Sequence, residues 1–227
     1  MHIQELHLQT KHLNEQKKFY TDVLGLPLLT ETAASFTVQA GTTRLSFQES
    51  QQETLYHIAF TIPTNKFKQA KDWISQRMPL LKNTAGEDEI HFTNLHAQSF
   101  YFSDAAGHIL EYMVHYDLVN ETSGDFGPED VLRVSEIGLP VEDVLAVAAQ
   151  LEKQQGIVSY PASSQASDGF AYLGDILGQL VVVKIGRPWL PTETIKAIAS
   201  PVRVVVAGKT EQEMQFIPYP YTIEFKA

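Results

Sequence analysis

The sequence contains no cysteine, and this absence removes several kinds of chemistry. Disulfide bridges, zinc sites built from thiolates and cysteine nucleophiles are all excluded. Basic residues are also scarce, because 17 Lys and Arg stand against 27 Asp and Glu and leave a net charge of −10. Since nucleic acids and anionic membranes are bound through basic patches, we expect neither of them as a partner.

Long apolar runs are absent as well. No stretch approaches the roughly 18 apolar residues that a transmembrane helix requires. The N-terminal segment MHIQELHLQT lacks the basic and apolar regions of a signal peptide, so a cytoplasmic protein is expected. With 44% apolar residues, the 227-residue chain can bury a substantial core, as one large domain or two smaller ones.

One charged residue interrupts an apolar strand pattern. Residues 98–114 are predicted to form two β-strands joined by a turn at Asp104 and Gly107. Glu111 lies inside the second strand, among apolar neighbours. A buried charge is costly unless it is paired, hydrogen-bonded or bound to a metal. Glu111 is therefore the first candidate for a functional residue.

The order of predicted elements repeats along the chain. Module 1 (1–50) and module 2 (55–118) each begin with a strand, continue with a helix and end with two or three more strands. A polar linker at 119–130 leads to a third module of this kind, which spans 131–227 with a C-terminal strand extension. The strand candidates in 201–227 can also be interpreted as a fourth unit without its helix. The predicted fold class is therefore α+β, built from tandem βαβββ modules.

Three stretches of the first two modules resemble the vicinal oxygen chelate superfamily. This group includes glyoxalase I, extradiol ring-cleaving dioxygenases, fosfomycin-resistance transferases and bleomycin-binding proteins. The matching stretches are HLQTKHLNEQKKFYTDVLGLPL (7–28), YHIAFTI (56–62) and SFYFSDAAGHILEYM (99–113). In the superfamily two modules pair into a curled mixed sheet around a cleft that has a metal at its floor. The resemblance implies that modules 1 and 2 form such a pair within 1–118.

The resemblance also implies the ligands of a metal site. In the superfamily they come from the first and last strands of the paired modules, which carry His7, His57 and Glu111 in this chain. The fourth position falls near Leu45 or Ser46 and has no carboxylate. Two imidazoles and one carboxylate suit Fe(II) best, with Mn(II), Zn(II) or Ni(II) as alternatives. The missing fourth ligand would leave room for both oxygens of a chelating substrate.

Two further residues are catalytic candidates. The resemblance places Tyr101 beside the metal, where its hydroxyl can hydrogen-bond a ligand oxygen. His96 is a candidate acid–base imidazole, with His91 as the alternative from the same loop.

The third module is expected to lack a metal. Glu136 stands where module 2 has His57, and Val182 stands where module 2 has Glu111. Since valine offers no ligand atom, we expect this module to be structural or to act as a lid. One metal site per chain follows from this interpretation.

The leading functional hypothesis is an extradiol-dioxygenase-like enzyme that acts on a small, vicinally oxygenated substrate. A glyoxalase I-like lyase or a fosfomycin-resistance-like transferase is the first alternative. The absent fourth ligand weakens the former, and the lack of an arginine after Glu111 weakens the latter. A drug-binding protein of the bleomycin-resistance type, without catalysis, is the second alternative. The sequence leaves the oligomeric state open, with a homodimer among the options.

Overall fold

The computed structural model describes residues 1–161, 163, 165–208 and 211–226 of the chain, and this part has an α+β fold. The strands are β1 (Ile3–Thr10), β2 (Leu28–Thr32), β3 (Ser35–Ala40), β4 (Thr43–Glu49), β5 (His57–Thr61), β6 (Leu80–Leu81), β7 (Ile90–Phe92), β8 (Ala97–Ser103), β9 (Ile109–His115), β10 (Arg133–Val141), β11 (Phe170–Asp175), β12 (Gly178–Lys184), β13 (Val202–Ala207), β14 (Gln212–Gln215) and β15 (Tyr221–Lys226). The α-helices are α1 (Leu13–Lys18), α2 (Phe67–Ser75) and α3 (Val144–Gln155).

Local sequence explains where the helices begin and end. The Asp143 side chain accepts a hydrogen bond from the Ala146 N–H and caps the first turn of α3. Gly156 follows α3 with a φ of +67°, a left-handed conformation that costs glycine little. α1 continues into a π-helical turn over Phe19–Val23. None of the described helices has the length and apolar character needed to cross a bilayer.

The strands form two mixed sheets. The first sheet has the order β14-β15-β13-β1-β4-β3-β2 and combines module 1 with the C-terminal strands. The second sheet has the order β11-β12-β10-β5-β9-β8-β6, with β7 paired to β8, and combines module 2 with the third module. The α+β class and the βαβββ modules expected from the sequence are therefore confirmed.

The pairing of modules differs from the expected one. The sequence interpretation joins modules 1 and 2 within 1–118, whereas β5 of module 2 pairs antiparallel with β10 of the third module. β1 of module 1 pairs instead with β13, so the C-terminal strands act as the fourth unit. The first strands of these units are 5 to 9 residues long, and each carries several buried apolar residues. Strand pattern alone therefore cannot decide which two of them become neighbours.

The main hydrophobic core draws on both sheets and the helices. It includes Leu6 from β1, Phe60 from β5 and Leu151 from α3, all fully buried. The opposite face of the second sheet carries a smaller apolar cluster that includes Tyr101, Trp189 and residues of β11 and β12. This second face holds the group of polar side chains described next.

Candidate metal centre

Three ionisable side chains converge on the face of the second sheet that is opposite the main hydrophobic core. His57 Nε2 lies 3.4 Å from Glu111 Oε2 and 3.5 Å from Glu136 Oε2. One ligand atom from each residue lies within 4.8 Å of the others, and each residue is at most 5% exposed. Among the described residues, these three form the one group of at least three such side chains with this spacing.

Strand register brings the two carboxylates together. Ala59 lies at the centre of β5, opposite Glu111 of parallel β9 and opposite Glu136 of antiparallel β10. The two glutamates therefore flank a small alanine side chain in the same row of the sheet. Gly138 is the other small neighbour, because a Cβ there would lie 2.6 Å from the Trp189 ring and 3.3 Å from the Cβ of His57. A larger residue at position 138 would displace both rings.

The environment of Glu111 disfavours its charged form. Burial raises its pKa well above the usual value, and the negative charge of Glu136 raises it further. The nearby hydroxyls of Ser99 and Tyr101 oppose this shift. Glu111 Oε1 and His57 Nδ1 are buried without a hydrogen-bond partner in the described part of the chain. Two neighbouring buried carboxylates without an ion-pairing Lys or Arg require a cation or a proton.

Two tyrosines contact this group from corresponding outer strands. The Tyr172 hydroxyl of β11 donates a hydrogen bond to Glu136 Oε1. Tyr101 of β8 lies directly opposite Glu111 in the β8–β9 ladder. Burial raises the pKa of both phenols well above the usual value, and the adjacent carboxylates add to the shift. Both hydroxyls therefore stay protonated at neutral pH and are available as donors.

The three residues lie in a cavity of about 520 Å³. This volume is within the range of small-molecule sites. Aromatic side chains dominate its walls, and the His57 and Trp189 rings pack with centroids 4.9 Å apart. The lining residues are His57, Phe92, Thr93, Asn94, Leu95, Tyr101, Glu111, Met113, Glu136, Ser163, Phe170, Tyr172, Val181, Arg187, Trp189 and Leu190.

The structure does not bring His7 to this group. His7 belongs to β1 in the first sheet, where its Nε2 lies 2.9 Å from Glu5 Oε2 and its side chain is about one-third exposed. This placement corrects the ligand set expected from the sequence, which joins His7 to His57 and Glu111. The physical reason is the exchange of partners between modules, because the site is built from β5, β9 and β10 and does not include β1.

The structure places Glu136 of β10 in this group, whereas the sequence predicts a site formed by His7 of module 1 with His57 and Glu111 of module 2. The sequence identifies Glu136 as the counterpart of His57 in the third module. The expected pairing of modules 1 and 2 does not bring these two residues together. The third-module counterpart of Glu111, expected to be Val182, is also corrected. Val181 lies opposite Gly138 and lines the cavity, whereas Val182 belongs to the main core. Valine at either position offers no ligand atom, as expected from the sequence.

The histidines proposed as acid–base groups lie outside the cavity lining. His96 is exposed, with Nδ1 2.7 Å from Asp117 Oδ1. His91 is also exposed and contacts Gln98. The residues Thr93, Asn94 and Leu95 line the cavity, so this loop approaches the site with other side chains. Of the two catalytic candidates in the sequence, Tyr101 lies at the site and His96 does not.

The donor set fits a divalent metal ion. Separations of 3.4 and 3.5 Å between His57 Nε2 and the two carboxylate oxygens are short enough for one ion to contact all three side chains. One imidazole and two carboxylates form a harder set than the expected two imidazoles and one carboxylate. Such a set favours Mn(II), Fe(II) or Mg(II) over softer ions.

Comparisons with known proteins show the fold. No protein-family model and no curated protein matches the chain. The crystal structure of a proposed dioxygenase from Bacillus subtilis subsp. subtilis strain 168 is similar, with a TM-score of 0.65 and 15% identity over 99% of this chain and 85% of that chain. A lactoylglutathione lyase from Agrobacterium tumefaciens matches with a TM-score of 0.42 and 19% identity over 49% of this chain and 92% of its own. The chain thus shares its fold with the Bacillus subtilis protein, in agreement with the fold that the resemblance in the sequence implies.

Proposed function

We propose that the chain is a metal-dependent enzyme that binds a small molecule through two neighbouring oxygen atoms. One observation carries this proposal. His57, Glu111 and Glu136 present their ligand atoms within 4.8 Å of one another at a cavity with aromatic walls. A divalent ion held there would polarise the two oxygens of a chelating substrate. It would also remove the cost of burying two adjacent carboxylates.

The residues around the site have separate roles in this proposal. Tyr172 holds Glu136 in position through its hydrogen bond. The Tyr101 hydroxyl, which stays protonated, donates a hydrogen bond to a substrate oxygen. The aromatic walls exclude water and pack against a planar substrate. These features favour extradiol-type ring cleavage, with Fe(II) as the metal, as the leading reaction class.

A second reaction class is favoured by the donor set. Two imidazoles and one carboxylate are typical of non-haem iron oxygenases, and this site has one imidazole only. A carboxylate beside the proposed ion, Glu111 or Glu136, is suited to accept a proton from carbon next to a carbonyl. Proton transfer of the glyoxalase type, with Mn(II) or Zn(II), is therefore the second candidate.

Metal titration followed by an activity screen tests the proposal. The wild-type protein should bind one divalent ion per chain by calorimetry, and His57→Gln should lower the affinity at least about tenfold. His7→Gln is the matched control, because it removes an imidazole from the other sheet. The Fe(II) form is then assayed for oxygen uptake with catechols, and the Mn(II) and Zn(II) forms for isomerisation of hemithioacetals.

The outcomes separate the classes of function. Oxygen uptake supports ring cleavage, and hemithioacetal turnover supports proton transfer. Metal binding with neither activity would favour a ligand-binding protein of the bleomycin-resistance type. Absence of metal binding, or equal loss of affinity in both histidine variants, would contradict the proposed site.

A further inference from the structure

Arg187 adds a positive charge to the same cavity. It follows β12 and lies two residues before Trp189, on the segment that covers one side of the site. Its guanidinium carbon lies 5.2 Å from the centre of the Phe170 ring, and Nη1 donates a hydrogen bond of 3.3 Å to the Pro188 carbonyl. The side chain is half-buried. Arg187 is therefore held in place by an aromatic face and a backbone carbonyl.

No carboxylate of the described residues lies within 4.0 Å of Arg187 to form an ion pair, unlike Arg203 with its partner Glu224. Burial lowers the pKa of the Arg187 guanidinium, and no acidic neighbour opposes this shift. Arginine nevertheless remains charged at neutral pH. A partly desolvated cation without a counter-ion, at the wall of a ligand cavity, indicates that the counter-ion is part of the ligand.

The charges of the cavity define the charge of that ligand. Among the lining residues, Glu111, Glu136 and Arg187 are the charged ones, besides the imidazole of His57. A divalent ion bound by the two glutamates gives a centre with no net charge. Arg187 then leaves the cavity with one positive charge. A monoanion such as a carboxylate neutralises it, whereas a phosphate monoester, largely dianionic at neutral pH, would leave an excess negative charge.

We propose that the substrate is an aromatic carboxylate with two neighbouring ring oxygens, and that Arg187 is the specificity-determining residue that binds its carboxylate. This inference rests on the proposed function, because the two oxygens are assigned to the metal centre. The planar guanidinium matches a carboxylate through two parallel hydrogen bonds. The walls formed by Phe92, Phe170 and Trp189 suit a flat ring between the two polar ends.

Matched ligands test the role of Arg187. Zn(II)-loaded protein, which cannot turn over an oxidative substrate, is titrated calorimetrically with 3,4-dihydroxybenzoate and with its methyl ester. A second pair is 3,4-dihydroxyphenylacetate and its methyl ester. Its additional methylene group extends the carboxylate further from the ring, towards Arg187. In the wild type, we expect the acid of at least one pair to bind about 10- to 100-fold more tightly than its ester.

The variants are chosen to separate charge recognition from folding. Arg187→Gln should bring acid and ester to within about twofold of each other and leave the ester affinity nearly unchanged. Arg187→Lys keeps the positive charge but lacks the paired N–H donors of the guanidinium, and it should retain part of the preference for the acid over the ester. Arg77→Gln is the control, because Arg77 also stacks on an aromatic ring, that of Trp73, but lies outside the cavity.

Two results would overturn the inference. One is a wild-type protein that binds Zn(II) but prefers neither acid to its ester. The other is an Arg187→Gln protein, folded by circular dichroism, that keeps the full wild-type preference. Both leave the metal centre intact and contradict only the role of Arg187. A wild type that binds no metal contradicts the proposed function itself, so the two failures are distinguishable.

Discussion

Arg203 donates two hydrogen bonds to Glu224, of 2.5 and 2.8 Å, at the place in the first sheet that corresponds to His57 and Glu111 in the second. In the first sheet, the guanidinium neutralises the carboxylate directly. In the second sheet, the corresponding carboxylate has an imidazole and another carboxylate as neighbours. The buried carboxylates of the second sheet therefore require a cation or a proton, whereas Arg203 already neutralises Glu224 in the first.

Strand register supports this correspondence. Glu224 of β15 lies opposite Val205 of parallel β13, as Glu111 of β9 lies opposite Ala59 of parallel β5. Arg203 lies two positions before Val205, and His57 lies two positions before Ala59. Each side chain therefore points to the same face of its sheet as the glutamate on the neighbouring strand. The two sheets thus share one architecture, but we expect only the second to bind metal.

Replacing Glu111 should weaken metal binding, whereas the same replacement of Glu224 should not. Glu111→Gln removes an anionic ligand, and a neutral amide oxygen replaces it poorly at a hard divalent ion. We expect the metal affinity to fall at least about tenfold. Glu224→Gln makes the same chemical change in the first sheet and should leave the affinity within about twofold of wild type. Calorimetric titration with Mn(II) measures both.

A loss of metal affinity in Glu224→Gln equal to that in Glu111→Gln would contradict the assignment. The stability of each metal-free variant is measured beside the titration. Glu224→Gln should lower the free energy of unfolding by about 1 kcal/mol or more, because Arg203 loses its charged partner. Such a loss of stability would show that Glu224→Gln acts at the Arg203–Glu224 pair.

Without metal, Glu111→Gln should stabilise the protein at alkaline pH. Burial raises the pKa of Glu111 in the folded state, so the folded protein binds a proton that the unfolded chain releases. For a group with a raised folded pKa, stability is full below the unfolded value and falls as pH rises through the folded value. Glutamine does not ionise and avoids this loss. In chelator at pH 8, urea unfolding should find the variant more stable by on the order of 1 kcal/mol.

Added metal should reverse that order. Mn(II) in excess should raise the melting temperature of the wild type and leave that of Glu111→Gln nearly unchanged. If Glu111 served only as a structural ion-pair partner, the substitution would destabilise the metal-free protein. Metal would then shift neither melting curve.

The sequence predicted the elements of this fold more successfully than their assembly. The apolar strand pattern around Glu111 and the turn at Asp104 and Gly107 are local properties of the sequence, and they predict β8 and β9 correctly. The pairing of β5 with β10 depends on contacts between residues about 80 positions apart, and the pattern of β1 fits that position equally well. The sequence therefore predicts His57 and Glu111 correctly as neighbours, whereas it places His7 with them because His7 lies on the first strand of module 1.

Some site residues had only a weak signal in the sequence. Glu136 was visible as the counterpart of His57, and the correct pairing of modules would have included it. Tyr172 was not identified, because its role depends on a hydrogen bond to a strand 36 residues earlier. Arg187 follows the last strand of the third module, where no motif marks it. The roles of these residues depend on neighbours that are distant in sequence, and the periodicity of apolar residues does not reveal such contacts.

Tyr172→Phe should weaken metal binding without removing a ligand. The substitution deletes the hydroxyl that orients Glu136, and partners of this kind typically contribute about 10- to 100-fold to metal affinity. Tyr101→Phe is the matched comparison, because it removes a phenol from the corresponding strand β8. Tyr101→Phe should reduce turnover more than metal affinity, since its hydroxyl is assigned to the substrate. Equal affinities in wild type and Tyr172→Phe would contradict the orienting role.

His108 should make the protein sensitive to acid. This histidine is fully buried, with its ring 4.8 Å from that of Tyr56 and 6.5 Å from that of Phe47. Burial lowers its pKa in the folded state, although the charge of Asp104 opposes the shift. Below the unfolded pKa of about 6.5, the unfolded chain binds a proton that the folded protein does not bind. The free energy of unfolding therefore decreases as the pH is lowered.

Urea unfolding in chelator at pH 7.5 and pH 5.0 measures this effect. Between these values, His108→Gln should lose about 1 kcal/mol less stability than the wild type, because glutamine does not titrate. At pH 7.5 the variant should be the less stable protein, since it loses the packing against Tyr56 and Phe47. His91→Gln, which removes an exposed imidazole, is the control for the substitution itself. If His108→Gln and the wild type lose the same stability over this range, His108 is not the source of the acid sensitivity, and the buried His115 is the next residue to replace.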